Sequence, residues 1–270
     1  MAADPSALRA DAPSSRLRAH ARRRPWILTY HSVTDPSDDP YGITVSPGRL
    51  DEQLSWLRSR RLTGVGVSEL LRAGAAGRRG LVGLTFDDGY ADFLDEALPV
   101  LRRHGFRATV FVLPGRPGGV NAWDPLGPRK PLLTEDDVRR VAAAGMEVGS
   151  HGLYHQDLTA LPDDELRRET ARSRELIGDL TGSLPEGFCY PYGILDRRVT
   201  EAVRSAGYGY ACALAPGPLP SRFALPRTHI SQADRGVRLW AKDLRHGLRQ
   251  VAAPGAGSRA AGPVRTGGRR

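Results

Sequence analysis

The sequence predicts an α/β fold in a single domain, with a parallel sheet covered by helices. Two observations carry this. Short apolar runs alternate with amphipathic helical stretches along residues 25–248, as strands and helices do in parallel α/β proteins. Polar or turn clusters also follow the strands: His31, Asp87-Asp88, His151 and Tyr190-Pro191-Tyr192-Gly193 each sit at a predicted strand C-terminus. A barrel gathers such residues on one rim. An open doubly wound sheet gathers them only at its switch point. No Gly-rich phosphate fingerprint follows any strand, so nucleotide binding has little support.

The elements follow in order. Trp26 to His31 reads as a strand. Ser46 to Arg61 reads as a helix, with Ser46 as N-cap, Pro47 at the first position and Leu50, Leu54 and Leu57 at helical spacing. A second short helix is expected at Val67 to Arg72. Leu81 to Phe86 is a strand. Tyr90 to His104 is a helix with Phe93, Leu94, Ala97 and Leu101 on one face, stopped by Gly105. His104, at that helix C-terminus, is favourably placed as a cation and needs no catalytic role. Ala108 to Leu113 is a strand, and Pro114 to Leu133 a Pro/Gly-rich loop carrying Trp123 and Asp124. Thr134 caps a helix to Ala144. Met146 to Ser150 is a strand, Pro162 to Leu180 a helix, and Phe188 to Tyr190 a strand. Asp196 to Ala206 is a helix and Tyr208 to Leu214 a strand. Ala224 to Ile230 is a last strand, and a short helix ends the domain near Leu248. Trp26, Trp56 and Trp240 are assigned to core or interface.

The net charge of +9 looks like a nucleic-acid signal until it is divided. Residues 1–24 hold six Arg and two Asp, and residues 249–270 hold five Arg and no acid. The span 25–248 is therefore neutral, and no nucleic-acid partner is expected. Both ends are rich in Ala, Gly, Pro, Ser and Arg, which predicts disordered basic tails at 1–24 and 249–270 around a domain at 25–248. Such tails can touch anionic surfaces. The two cysteines, Cys189 and Cys212, lie in apolar runs and read as buried small hydrophobes. No apolar segment of signal-peptide length precedes Pro25, and no window approaches a transmembrane span. The sequence as written predicts a cytoplasmic location, with an extracellular or cell-surface one left open.

Asp87-Asp88 and the pair His151 and His155 belong together. One carboxylate and two imidazoles form a common metal set that leaves positions for water and substrate. His residues four apart share a face if the chain turns helically after Ser150. Adjacent carboxylates at a strand end point in different directions, so one can bind metal and the other can accept a proton from water. A backbone N–H near a turn can steady an oxyanion, and a His can protonate a departing amine. The set suits hydrolysis of an amide or ester.

Thr85-Phe86-Asp87-Asp88-Gly89, His151-x-x-x-His155 and Tyr190-Pro191-Tyr192-Gly193, in that order, resemble the motifs of the polysaccharide deacetylase family (carbohydrate esterase family 4, the NodB-homology domain). The resemblance covers roughly residues 25–230. It implies a distorted (β/α) barrel of about seven strands. It also implies a metal-dependent hydrolase that removes N-acetyl groups from N-acetylhexosamine units of a polysaccharide, oligosaccharide or conjugate. Carried over, Asp87 is the general base, Asp88, His151 and His155 hold the metal, and the Tyr192 backbone N–H helps the oxyanion hole. The metal expected is Zn²⁺, with Co²⁺ or Ni²⁺ accepted by the same ligands. The family's third motif has Arg where this chain has Cys189, so Arg227, in Leu225-Pro226-Arg227-Thr228, is the candidate to orient the base. The domain opens with Leu28-Thr29-Tyr30-His31-Ser32, which resembles the circularly permuted branch that includes poly-N-acetylglucosamine deacetylases. There the acid His moves to the first strand, which makes His31 the expected acid and His229 the fallback. Trp123 either stacks on a sugar ring or pins its loop to the barrel.

Two other classes compete. A glycosyltransferase can hold a metal and a nucleotide sugar on paired Asp, but the His pair and the missing nucleotide fingerprint argue against it. A catalytically silent carbohydrate-binding relative is favoured by the missing motif Arg and opposed by Asp87, which a binder does not need.

Overall fold

The computed structural model describes residues 25–214 and 221–251. In chain order the strands are β1 (Ile27–Tyr30), β2 (Ser32–Val33), β3 (Thr44–Val45), β4 (Thr63–Val65), β5 (Leu81–Phe86), β6 (Thr109–Val112), β7 (Glu147–Ser150), β8 (Gly187–Cys189), β9 (Tyr210–Ala213), β10 (Leu225–Pro226) and β11 (Thr228–His229). The α-helices are α1 (Pro47–Ser59), α2 (Val67–Ala75), α3 (Leu98–His104), α4 (Glu135–Ala143), α5 (Asp163–Arg167), α6 (Ser173–Thr181), α7 (Arg197–Ser205) and α8 (Gly236–Val251). The expected tails lie outside the described residues, apart from 249–251, which end α8. No described helix is long and apolar enough to cross a membrane.

The main sheet runs β10-β9-β8-β7-β6-β5-β1-β11, and the pairs in it are parallel. The two ends of this order are one stretch of chain. The last strand splits at Arg227: Leu225 pairs with Cys212 on one side, and Thr228 pairs with Leu28 on the other. That switch nearly closes the sheet into a barrel. The distortion comes from β4, which the sequence did not announce. It pairs with the first half of β5, while β6 pairs with β5 only at Thr85 and Phe86. The Arg107 N–H donates to the Gly64 carbonyl at 3.0 Å, so β4 is wedged in at the N-terminal end of the barrel.

Strand alternation sorts the side chains. Leu28, Tyr30, Val82, Leu84, Phe86, Val110 and Val112 are buried in the main apolar cluster with Leu50, Leu54, Leu57, Leu98 and Leu101 of α1 and α3. Ile27, Phe111, Cys189, Tyr210, Cys212 and Leu225 form a second cluster on the opposite face, inside the barrel. Glycines make room for the large rings there: a Cβ on Gly149 would lie 2.5 Å from Phe111, and one on Gly187 2.2 Å from the Tyr210 hydroxyl. The same alternation points Thr29, Thr85, Asp87 and Arg227 inward. The chemistry is therefore built on the barrel's inner positions.

The local signals act as physical chemistry requires. Ser46 Oγ accepts from the Arg49 N–H, and Thr134 with Asp137 forms a full capping box. Three helical stretches depart from the sequence expectation. The stretch expected to be helical from Tyr90 starts with a bridge from Tyr90 to Leu132, then a π-turn at Phe93–Ala97, before α3. The helix expected over Pro162 to Leu180 carries a π-turn, Arg168–Arg172, between α5 and α6. The closing helix α8 is sixteen residues long rather than short, and its Trp240, expected in a core or interface, is half exposed and so outside the core.

Candidate active site

Asp87 and Asp88 leave β5 in opposite directions. The cause is backbone: Asp88 has φ 69° and Gly89 φ 66°. A left-handed Asp costs about 1 kcal/mol or more, a strain that clusters at functional sites. Asp87 continues the inward register of the strand, and the left-handed turn swings Asp88 toward the next strand ends.

The histidines meet Asp88 there. His151 Nε2 lies 3.2 Å and His155 Nε2 3.3 Å from Asp88 Oδ1, and all three residues are buried. The segment after Ser150 is not helical, so the helical spacing expected of the pair is not what aligns it. A turn through Gly152 (φ 81°) and His155 (φ 60°) folds His155 back beside His151 instead. Glu169, a buried carboxylate in the second π-turn, pins this turn. Its Oε2 accepts the Leu153 N–H at 2.6 Å and the Tyr154 N–H at 3.3 Å. Burial raises the Glu169 pKa, and those two N–H groups only partly offset it. Nothing in the sequence around Glu169 marks it; only the packing of the helix against the turn does.

These atoms fit a divalent cation. One carboxylate oxygen and two imidazole nitrogens lie within 4.8 Å of one another. Asp88 Oδ1 is buried without a hydrogen-bond partner of proper geometry, which is costly unless a cation completes it. His151 Nδ1 is 2.8 Å from the Cys189 carbonyl, to which it can only donate. That fixes the tautomer and turns the Nε2 lone pair toward Asp88. Burial opposes the Asp88 charge, but the two imidazoles hold its pKa well below the usual carboxylate range.

Asp87 heads an adjoining network that meets the first at His151 and Cys189, whose ligand atoms lie within 4.8 Å of its own and of one another. Arg227 Nη1 donates to Asp87 Oδ1 at 2.6 Å, and Nη2 to Oδ2 at 2.7 Å. The guanidinium also reaches Thr85 Oγ1 (3.0 Å) and the Ala213 carbonyl (3.3 Å), and passes 3.1 Å from Cys189 Sγ. The small side chain at position 189 leaves space for an arginine arriving from the closing strand. Burial alone would raise the Asp87 pKa; the Arg227 charge and hydrogen bonds overcome it and leave the net shift downward. A buried bidentate pair of this kind holds the carboxylate ionised and fixed in orientation.

His31 faces the same carboxylate, with Nε2 3.8 Å from Asp87 Oδ2. Burial lowers the His31 pKa, and the Asp87 and Asp88 charges only partly restore it. His229 sits 6.1 Å from the His31 ring, but its Nε2 is 3.0 Å from the Gly42 carbonyl and the residue is exposed. The structure thus brings His31, and not His229, to Asp87. Tyr192 (φ 58°) follows β8 at the same rim, with its ring 4.5 Å from His155 in an edge-on contact. Trp123 stacks on the face of the His155 ring at 4.4 Å and 16°. This contact ties the Trp123 loop to the turn that carries His155. Asp124, beside it, accepts from the Tyr90 hydroxyl at 3.3 Å. His104 pairs with Asp51 at 3.0 Å, away from this centre.

A family model described as polysaccharide deacetylase matches residues 74–211, the span holding Asp87, Asp88, His151, His155 and the Tyr190 to Gly193 turn. YxkH, a Bacillus subtilis protein that carries the polysaccharide deacetylase name, is 27% identical over 216 residues, covering 78% of this chain and 72% of its own. A peptidoglycan-N-acetylglucosamine deacetylase of Bacillus cereus is 33% identical over 123 residues, covering 45% of this chain and 40% of its own length. The match thus spans well under half of that relative. Among solved structures, IcaB from Ammonifex degensii superposes with a TM-score of 0.66 at 25% identity, covering 82% of this chain and 97% of its own. His31 and Arg227 lie outside the span the family model matches; β1 and the closing strand bring them in.

Proposed function

The chain belongs to the polysaccharide deacetylase family, and from that premise we propose that it is a divalent-metal hydrolase removing N-acetyl groups from N-acetylhexosamine units of a polysaccharide, oligosaccharide or amino-sugar conjugate. The observation that carries this reading is that two adjacent carboxylates point to different partners because the second, Asp88, is left-handed. Asp88 faces two histidines, and Asp87 faces an arginine and a third histidine.

In this reading Asp88, His151 and His155 hold the metal, with Zn²⁺ the expected ion and Co²⁺ or Ni²⁺ compatible with the same donors. When bound, the metal supplies Lewis-acid activation of water and of the acyl oxygen. Asp87 accepts the proton of the attacking water at its carboxylate, and Arg227 keeps that carboxylate ionised and aimed. The Tyr192 backbone N–H donates to the oxyanion. His31 protonates the departing amine; its Nε2 lies beside the base, 3.8 Å from Asp87 Oδ2. A protein that only bound sugar would gain nothing from a buried base clamped by Arg227, which weighs against a silent binder.

The test is acetate release from N-acetylglucosamine oligomers of graded length, using metal-free protein reloaded with Zn²⁺, Co²⁺ or nothing. Metal-dependent release that Asp87→Asn abolishes supports the reading, and the length profile identifies the preferred acceptor. Absence of release with every metal on every length would sink it.

A further inference from the structure

We propose that α8 binds a membrane surface rich in anionic lipid, lying flat on it and holding the barrel there. This inference is independent of the deacetylase reading. It rests on the two faces of the helix.

One face is fastened to the domain. Leu239 is buried in the main core. Lys242 Nζ donates to the His229 carbonyl at 2.6 Å and to Asp234 Oδ2 at 2.5 Å. Asp243 pairs with Arg60 at 3.3 Å, and His246 stacks on Trp26 at 5.7 Å. The opposite face is apolar and bare. Val237, Trp240, Leu244 and Leu248 are 82%, 50%, 47% and 60% exposed. Their spacing of three, four and four residues makes one continuous stripe along the helix. Aliphatic residues and a Trp on one exposed stripe are unusual on a surface that meets only water.

Charge decides what covers the stripe. Arg238 and Arg245, seven residues apart and both exposed, run along one side of it and have no carboxylate partner among the described residues. The single acid of the helix, Asp243, is engaged by Arg60. The sequence from 249 to 270 adds five Arg and no acid. A second copy docked stripe to stripe in the antiparallel sense would bring these cations to the same side of the seam. The N-terminal stretch 1–24, with six Arg and two Asp, would likewise bring cations against these. An anionic lipid surface accepts both the apolar stripe and the arginines, as it does for basic amphipathic helices. The helix starts just beyond the strand end that carries His229 and runs back to Trp26 at the start of β1, so it lies along the side of the barrel. Laid flat, it leaves the rim with Asp88 opening along the membrane plane, toward material anchored at that surface.

The experiment is co-sedimentation of the full chain with vesicles of equal parts phosphatidylglycerol and phosphatidylcholine, against vesicles of phosphatidylcholine alone. Binding is expected to the anionic vesicles only and to weaken as salt is raised. Trp240→Glu with Leu244→Glu should lower the bound fraction by about tenfold or more, while the circular dichroism and thermal transition stay as in the parent, since both positions are exposed. Arg238→Glu with Arg245→Glu, which spares the apolar stripe, should also weaken binding and flatten its salt dependence. Three results would overturn the proposal. One is no binding to anionic vesicles. Another is binding that neither double substitution changes. The third is a dimer in sedimentation equilibrium that the Trp240 and Leu244 substitutions dissolve.

Discussion

Arg227 grips Asp87 with both terminal nitrogens, at 2.6 and 2.7 Å, from the strand that closes the barrel. The contact joins two functions. It seals the ring where β10 hands over to β11, and it sets the charge and aim of the carboxylate read as the base.

Arg227→Met should therefore damage stability and activity together. Breaking a buried ion pair by removing one partner costs about 3–5 kcal/mol. The thermal transition should fall accordingly, and kcat for acetate release should drop about a hundredfold or more, with KM little changed. Arg227→Lys should recover part of the stability and little of the rate, because an ammonium cannot make the bidentate contact. A Lys variant with full kcat would contradict the orienting role.

His31 and His229 give a direct comparison. His31→Gln should lower kcat by about 10²–10⁴-fold, the range for loss of a general acid. His229→Gln, at an exposed site bonded to the Gly42 carbonyl, should stay within a few-fold of the parent. The reverse ranking would move the acid role to His229.

The metal reading has a readout separate from turnover. Metal content by elemental analysis should fall in His151→Ala, His155→Ala and Asp88→Asn and be retained in Asp87→Asn. Metal at about a hundredfold over its dissociation constant should raise stability by about 2.7 kcal/mol, visible as a higher transition temperature. Equal metal content across all four variants would refute the assignment.

Glu169→Gln tests the anchor beneath the His155 turn. The amide offers a neutral acceptor in place of a charged one to the Leu153 and Tyr154 N–H groups. Metal affinity should fall about 10–100-fold, the usual cost of disturbing a residue that orients ligands. Unchanged affinity would show that the turn holds its shape without the carboxylate.

Asp234 sets a pH dependence of stability. Burial pushes its pKa up, but Lys242 and the Ser231 N–H and hydroxyl outweigh this and leave it below the ordinary value. A depressed folded-state pKa stabilises the fold above the unfolded value, and that stabilisation is lost as pH falls through the folded one. Asp234→Asn should thus cost about 2 kcal/mol at neutral pH. The gap to the parent in transition temperature should narrow once pH drops below about 4. A gap that is constant with pH would remove the charge from the explanation.

Much of this was legible along the chain. Apolar runs such as Met146 to Ser150 and Phe188 to Tyr190, alternating with amphipathic helices, determine a parallel α/β sheet, because local periodicity decides which face of each element is buried. The strand-end positions of Asp87, Asp88, His151 and Tyr190 determine that polar groups gather on one rim, whatever the side-chain details. Only the tertiary structure decided the rest, and the reason is the same in each case: contacts between residues far apart in sequence leave no local pattern. Thr63 to Val65 is a strand because β5 offers it an edge. Glu169 matters because a π-turn carries it to backbone N–H groups sixteen and fifteen residues away. His155 reaches Asp88 through a left-handed turn that no spacing rule predicts. Arg227 serves Asp87 from 140 residues away because the last strand switches neighbours at that residue and so closes the ring.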